Sequence, residues 1–138
     1  MKKNSKIPAN YQTVMPYLII DSAEKFIAFM KEVFHAEEIN KVMRDKQINM
    51  YGKIMVGGST IMFADTTGTY SASNAAMFIY VDDADVTSEK AISAGATIVT
   101  EIANQSYGRS GGVKDPFGNT WWITEMLVKN SVRSIYQA

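Results

Sequence analysis

The sequence predicts an α+β fold in which one unit, strand–helix–strand–strand–strand, is used twice. Three observations predict it. Two helix starts, at Asp21 and Asp82, lie about 60 residues apart. Two turn glycines, Gly58 and Gly118, are separated by nearly the same interval. Each glycine is followed at the same spacing by an acid, Asp65 and Glu125. Self-similarity at a fixed period marks duplicated units, each too small to bury a face alone. The 138 residues suit one domain, 1–138, and are enough to bury a core. The modules are expected at about 12–65 and 75–127, with a tail at 128–138.

The elements follow in order. Residues 1 to about 10 read as a frayed polar arm. A first strand is expected over 13–20, apolar on both faces, and Pro16 favours an edge position for it. Asp21-Ser22 offers an N-cap, with Glu24 in the first turn. Phe26, Ile27, Met30 and Phe34 recur at helical spacing and predict a helix over 23–34 that faces the sheet. Strands are expected at 38–43, 48–56 and 59–64. Asp45-Lys46 marks the first turn between them, and Gly57-Gly58 the second. The polar, Gly/Ser/Thr-rich stretch 65–74 reads as a linker. The pattern then restarts with a strand at 76–81. Asp82-Asp83 caps a helix at 85–94, which Gly95 ends as the residue after the C-cap. A strand at 96–100 leads to a glycine-containing loop at 105–112. Asp115-Pro116-Phe117-Gly118 then makes a tight turn into a last strand at 121–126. Pro116 presets a turn angle, and Asp115 can bond its own backbone across the turn.

Composition excludes several functions. Lys+Arg and Asp+Glu balance at 14 each, without the basic excess a nucleic-acid or anionic-membrane surface requires. There are no cysteines, so disulfides, zinc–thiolate sites and thiol catalysis are excluded. No apolar run approaches the roughly 20 residues of a spanning helix. A soluble cytoplasmic protein is expected, with no nucleic-acid or membrane partner. With a single histidine, His35, no Ser-His-Asp triad is visible. At a helix end, His35 is favoured by the macrodipole and needs no role as a ligand.

Three stretches carry a resemblance to a known family. They are Pro16-Tyr17-Leu18-Ile19-Ile20-Asp21-Ser22-Ala23 with Phe26 and Phe29, Tyr80-Val81-Asp82-Asp83-Ala84-Asp85 with Ala94-Gly95-Ala96, and Asp115-Pro116-Phe117-Gly118-Asn119-Thr120-Trp121. In order and spacing they resemble the vicinal oxygen chelate superfamily of glyoxalases, bleomycin-resistance proteins and dioxygenases, most closely its PhnB-like branch. The resemblance implies two βαβββ modules curled into an incomplete barrel around a cleft, usually in a homodimer. It also implies a divalent metal held from the first and fourth strands of each module.

Carried onto this sequence, the metal positions fall on Val14, Met62, Ala76 and Trp122. Divalent ions such as Mg, Mn, Zn, Fe or Ni want imidazole or oxygen donors, and none is present there. No metal and no cofactor are therefore expected. The cleft is instead expected to bind a small apolar or aromatic molecule. Its lining would comprise Val14, Pro16 and Leu18 from the first strand, Tyr51 and Met55 from the third, and Met62, Tyr107, Arg109 and Trp122. Arg109 is expected on a loop with the glycines of a mobile lid, where it either clamps an anionic ligand or stands as a solvated loop arginine. Lys53 and Tyr51 are weak catalytic candidates, Lys53 as a base if desolvation lowers its pKa. The alternatives are a metal-dependent lyase or dioxygenase-type enzyme whose ligands lie elsewhere, and a structural dimer with a filled barrel.

Overall fold

Burial alternates along the strands and sets the layers. Leu18 and Ile20 are buried while Tyr17 and Ile19 are less so, as period-two side chains on a half-covered sheet require. A computed structural model describes residues 7–43 and 50–127, which divide into two compact units at Ala75/Ala76. The basic start at 1–6, the Asp45-Lys46 turn, the beginning of the third strand and the tail at 128–138 lie outside the described residues.

The first unit runs β1 (Tyr17–Ile20), α1 (Ala23–Phe34), β2 (Glu37–Met43), β3 (Met50–Val56) and β4 (Ser59–Asp65). Its sheet has the order β1-β4-β3-β2, with β1 parallel to β4 and the other pairs antiparallel. Pro16 sits just before this edge strand. Residues from about 13 were expected in β1, but the strand begins at Tyr17. Before it, the chain is held to β4 by side chains: Gln12 Nε2 donates to the Thr60 carbonyl at 2.9 Å, and the Thr60 N–H donates to Gln12 Oε1 at 3.3 Å. The outer edge of β1 is closed by Ser73, whose N–H and carbonyl both bond Ile19.

Helix α1 starts where Ser22, not Asp21, accepts the Lys25 N–H at its hydroxyl. It ends at His35, which takes the left-handed conformation (φ 57°). Seven side chains of α1, Ala23, Phe26, Ile27, Phe29, Met30, Val33 and Phe34, are buried, and Phe26 meets Phe63 of β4 at 5.6 Å between ring centroids.

The second unit repeats the plan with β5 (Ala76–Tyr80), α2 (Ala84–Ser93), β6 (Thr97–Gln105), β7 (Gly108–Lys114) and β8 (Thr120–Glu125), in the order β5-β8-β7-β6. Asp83 caps α2 by accepting the Val86 N–H at 3.0 Å, and Gly95 takes the positive φ that follows the helix. The stretch 105–112, expected as a loop, is a hairpin: β6 runs on to Gln105 and β7 begins at Gly108. The alternation of β7 was masked by Gly108, Ser110, Gly111 and Gly112, which carry little apolar signal.

Candidate functional site

Each sheet has one face under its helix and one face away from it. Pairing fixes which residues share a face. In the first unit, Tyr17 lies opposite Met62, Met62 opposite Lys53, and Tyr51 opposite Ala64. Tyr17, Tyr51, Lys53, Met55 and Met62 therefore lie on the face away from α1. The Lys53 ammonium stands over the Tyr11 ring, 5.2 Å from its centroid, so its charge meets an aromatic face.

Two expected lining residues are placed otherwise. Leu18 points to the helix side and is 1% exposed, because it falls on the same parity as buried Ile20. Val14 lies before β1 and is 82% exposed. Its assignment rested on counting from Asp21. Counted from the observed N-caps, Ser22 and Asp83, the first-strand positions are Met15 and Ala76. Met15 shares parity with Tyr17. Pro16, also before β1, contributes its carbonyl, which accepts the Met62 N–H at 2.9 Å.

In the second unit Phe78 lies opposite Trp122 and Gly112 lies on its other side. A Cβ on Gly112 would come within 2.6 Å of the Trp122 ring, so the indole rests directly on the backbone of β7. Phe78 and Tyr80 meet at 5.3 Å, and Phe78 and Tyr107 at 6.2 Å, between ring centroids. Phe78, Tyr80 and Tyr107 are each more than half exposed. Beneath this face, buried Ser110 and Thr124 satisfy each other at 2.8 Å. Phe78 and Tyr80 were not anticipated as lining residues. The alternation Ala76, Phe78, Tyr80 carried the signal, since these three share Trp122's face.

Arg109 is on the opposite face. Its guanidinium is held by Asp85 (Nε–Oδ2 2.8 Å, Nη2–Oδ1 3.1 Å) and by Asn104 Oδ1 at 2.8 Å. It is a strand residue tied to α2, not a clamp on a mobile loop. The fork of hydrogen bonds to Arg109 draws the Asp85 carboxyl below its ordinary range and raises the guanidinium of Arg109 in return. In the first unit, hydrogen bonding to Lys31 similarly lowers Glu38.

The acids that mark the repeat have a local task. Asp65 accepts the Ala23 N–H at 2.6 Å and the Met50 N–H at 2.7 Å; Glu125 accepts the Ala84 N–H at 2.9 Å. Each closes the last strand of its unit against the first turn of its helix, where unsatisfied N–H groups and the positive dipole end lie. Carboxylate oxygens of Glu125, Asp83 and Asp85 come within 4.8 Å of one another. All three are engaged, with Ala84 N–H, Val86 N–H and Arg109.

The donor set decides the fit of a metal. At the positions the resemblance gives, corrected for the observed caps, stand Met15, Met62, Ala76 and Trp122. These are two thioethers, a methyl and an indole, without a carboxylate or imidazole among them, and they do not fit a hard divalent ion.

An α+β fold of two units, each a four-stranded sheet with one helix, defines a class, and comparison with known proteins identifies it. The family model for the Glyoxalase/Bleomycin resistance protein/Dioxygenase superfamily matches residues 12–123, and the chain belongs to that superfamily. An uncharacterized protein of Mycobacterium bovis is 30% identical over 135 residues, covering 89% of each chain. One of Mycobacterium tuberculosis is also 30% identical over 135 residues, covering 89% of this chain and 79% of its own. Among solved structures, an Arabidopsis thaliana gene product superposes with a TM-score of 0.68 at 23% identity, over 83% of this chain and 99% of that one. The PhnB protein of Bacillus cereus gives 0.65 at 16% identity, over 83% and 99%. No helix among the described residues is long and apolar enough to cross a membrane.

Proposed function

We propose that this superfamily member binds a small apolar or aromatic molecule without a metal, as a cytoplasmic homodimer. The observation that carries the reading is the aromatic face of the second sheet. Phe78, Tyr80 and Tyr107 stand exposed around Trp122, which occupies a position where the family's chemistry would need a donor. Exposed, mutually packed rings offer stacking area at small entropic cost, since each has only two side-chain torsions to fix. Met62 and Met55 on the open face of the first sheet add surface that adapts to irregular shapes.

The test is titration of the purified chain with a panel of small aromatic compounds, read by Trp fluorescence and calorimetry. At least one compound should bind, and Phe78→Ala should weaken it about tenfold, the loss of one aromatic contact of about 1.4 kcal/mol. Elemental analysis of protein purified without chelator should find far less than one divalent ion per chain. A stoichiometric ion would overturn metal independence, and a panel without a binder would overturn the aromatic site. Sedimentation equilibrium tests the dimer.

A further inference from the structure

Equivalent rows of the two sheets differ in charge. Register aligns Tyr17, Met62 and Lys53 across the first sheet with Phe78, Trp122 and Gly112 across the second. The first row carries its own cation, and the Lys53 ammonium lies on the Tyr11 ring. The second row has a glycine at that position, against which the Trp122 indole rests. Phe78, Tyr80 and Tyr107 stand exposed beside it, and among the described residues no lysine or arginine stands over these rings.

Charge of the opposite sign adjoins them. Where β5 and β8 end, Tyr80, Val81, Asp82, Glu125 and Met126 line a pocket of about 220 Å³. Tyr80 belongs both to this pocket and to the ring cluster, since it packs on Phe78. Asp82 is exposed, is not the cap of α2, and has no hydrogen-bond or ion-pair partner among the described residues. Glu125 uses one oxygen for the Ala84 N–H. The guanidinium of Arg109, opposite Glu125 in the sheet, is already held by Asp85.

We infer that the molecule bound on the aromatic face is an organic cation, an amine or quaternary ammonium carried on an aromatic or apolar body. This rests on the aromatic site proposed above and adds the charge of its ligand. An ammonium group seated against Tyr80 meets the negative face of a ring, with the carboxylates of Asp82 and Glu125 on the same pocket. The body of the molecule then covers Phe78, Trp122 and Tyr107. A neutral ligand gains the stacking alone, and an anion meets charge of its own sign. The ligand's charge takes the part that Lys53 plays within the first unit.

Phenyltrimethylammonium and tert-butylbenzene share a shape and differ in charge, so the pair separates the cation from the ring. In titrations of the full chain followed by Trp fluorescence, phenyltrimethylammonium should bind about tenfold more tightly than tert-butylbenzene. Asp82→Asn, an exposed change, should cut that ratio several-fold and leave the affinity for tert-butylbenzene as it was. Equal affinities, or tighter binding of tert-butylbenzene, overturn the inference and leave the aromatic site standing. A ratio unchanged by Asp82→Asn overturns the pocket as the seat of the charge. If neither compound binds, the inference falls; a neutral member of the aromatic panel that still binds then keeps the aromatic site, and a panel without a binder removes both.

Discussion

Each unit covers its own four-stranded sheet with one helix, yet in one the helix and in the other the sheet supplies most of the bulk between them. In the first unit the helix supplies the bulk: Phe26, Ile27, Phe29, Met30, Val33 and Phe34 all point inward. In the second, α2 buries only Ala84, Ser88 and Ala91, and the sheet supplies the bulk through Trp121, the largest fully buried side chain described. A helix–sheet gap is a volume to be filled at crystal-like density, and either wall can fill it. Side-chain size is therefore free to drift between duplicated units, whereas positions fixed by the backbone are not. Gly52 and Gly111 show the second kind. They are equivalent residues of β3 and β7 on the helix side, and an added Cβ would meet Asn40 O at 2.4 Å in one and Thr100 O at 2.7 Å in the other. In both units the edge strand has a register shift that throws a carbonyl against the glycine.

The sharpest difference is in the turns before the last strands. Asp115 is 3% exposed and accepts from Phe117 N, Asn119 N, Asn119 Nδ2 and Trp121 Nε1, at 2.8–3.0 Å. It locks the turn and orients the indole that fills the second core. The first unit makes the same reversal at Gly57–Gly58 without a buried acid, and open space surrounds Gly58. Asp115→Ala should cost at least about 4 kcal/mol, because several buried donors lose their acceptor at about 1–3 kcal/mol each. Gly58→Ala should stay within about 0.5 kcal/mol. Urea denaturation of both variants measures this, and comparable losses would erase the distinction between the turns.

The source of bulk is tested next. Phe26→Ala should cost about 3–4 kcal/mol by opening a cavity beneath α1. Enlarging the opposite helix with Ala91→Leu should also destabilise, by about 1–3 kcal/mol, because Ala91 has no exposed surface and the space is already taken. A neutral Ala91→Leu would mean that the second core is loosely filled. Smaller and equal effects are expected where the units agree. Gly52→Ala and Gly111→Ala should each cost about 1–3 kcal/mol, since neighbouring backbone must shift. A harmless change at one site alone would show that only one edge strand is held rigidly.

The fold was legible where backbone rules speak locally. The α1 stripe, the two caps, Gly95 and the Asp115 turn are short-range signals, and the repeat gave the topology its twofold pattern. The acids Asp65 and Glu125 were legible as a repeat but not as caps, because a carboxylate that reaches another element's N–H groups leaves no trace in spacing. The candidate site was less legible, for a reason of parity. A strand's face is set by its register, and one residue's uncertainty in the cap, Asp21 against Ser22, moved the first-strand position from Met15 to Val14 and drew Leu18 to the wrong side. Arg109 failed differently. Loop-like glycines concealed a strand, and its partner Asp85 lies 24 residues away in sequence.

The smallest effect concerns ion pairs at the rims, where the units are alike in role and reversed in polarity. In the first, a base on α1, Lys31, holds Glu38 of β2; in the second, an acid on α2, Asp85, holds Arg109 of β7. Both carboxyls have folded-state pKa values below their ordinary 4.5 and 3.8, through hydrogen bonds to Lys31 and to Arg109. A depressed carboxyl pKa gives stability that is present above the ordinary value and is lost as pH falls through the lower, folded value. Each pair should therefore add a small acid-side decline below about pH 4.5 for Glu38 and below about pH 3.8 for Asp85. Glu38→Gln should remove the earlier component and Asp85→Asn the later one, with little change near neutrality beyond the loss of the pair itself. Thermal melts across pH 2.5–6 in low salt resolve the two, over the span in which carboxylates titrate. High salt should weaken the single-bonded Lys31–Glu38 pair before the forked Arg109–Asp85 pair, because a bidentate geometry does not depend on long-range attraction alone. If both variants lose stability in acid in parallel with the parent, neither rim pair couples its helix to its sheet.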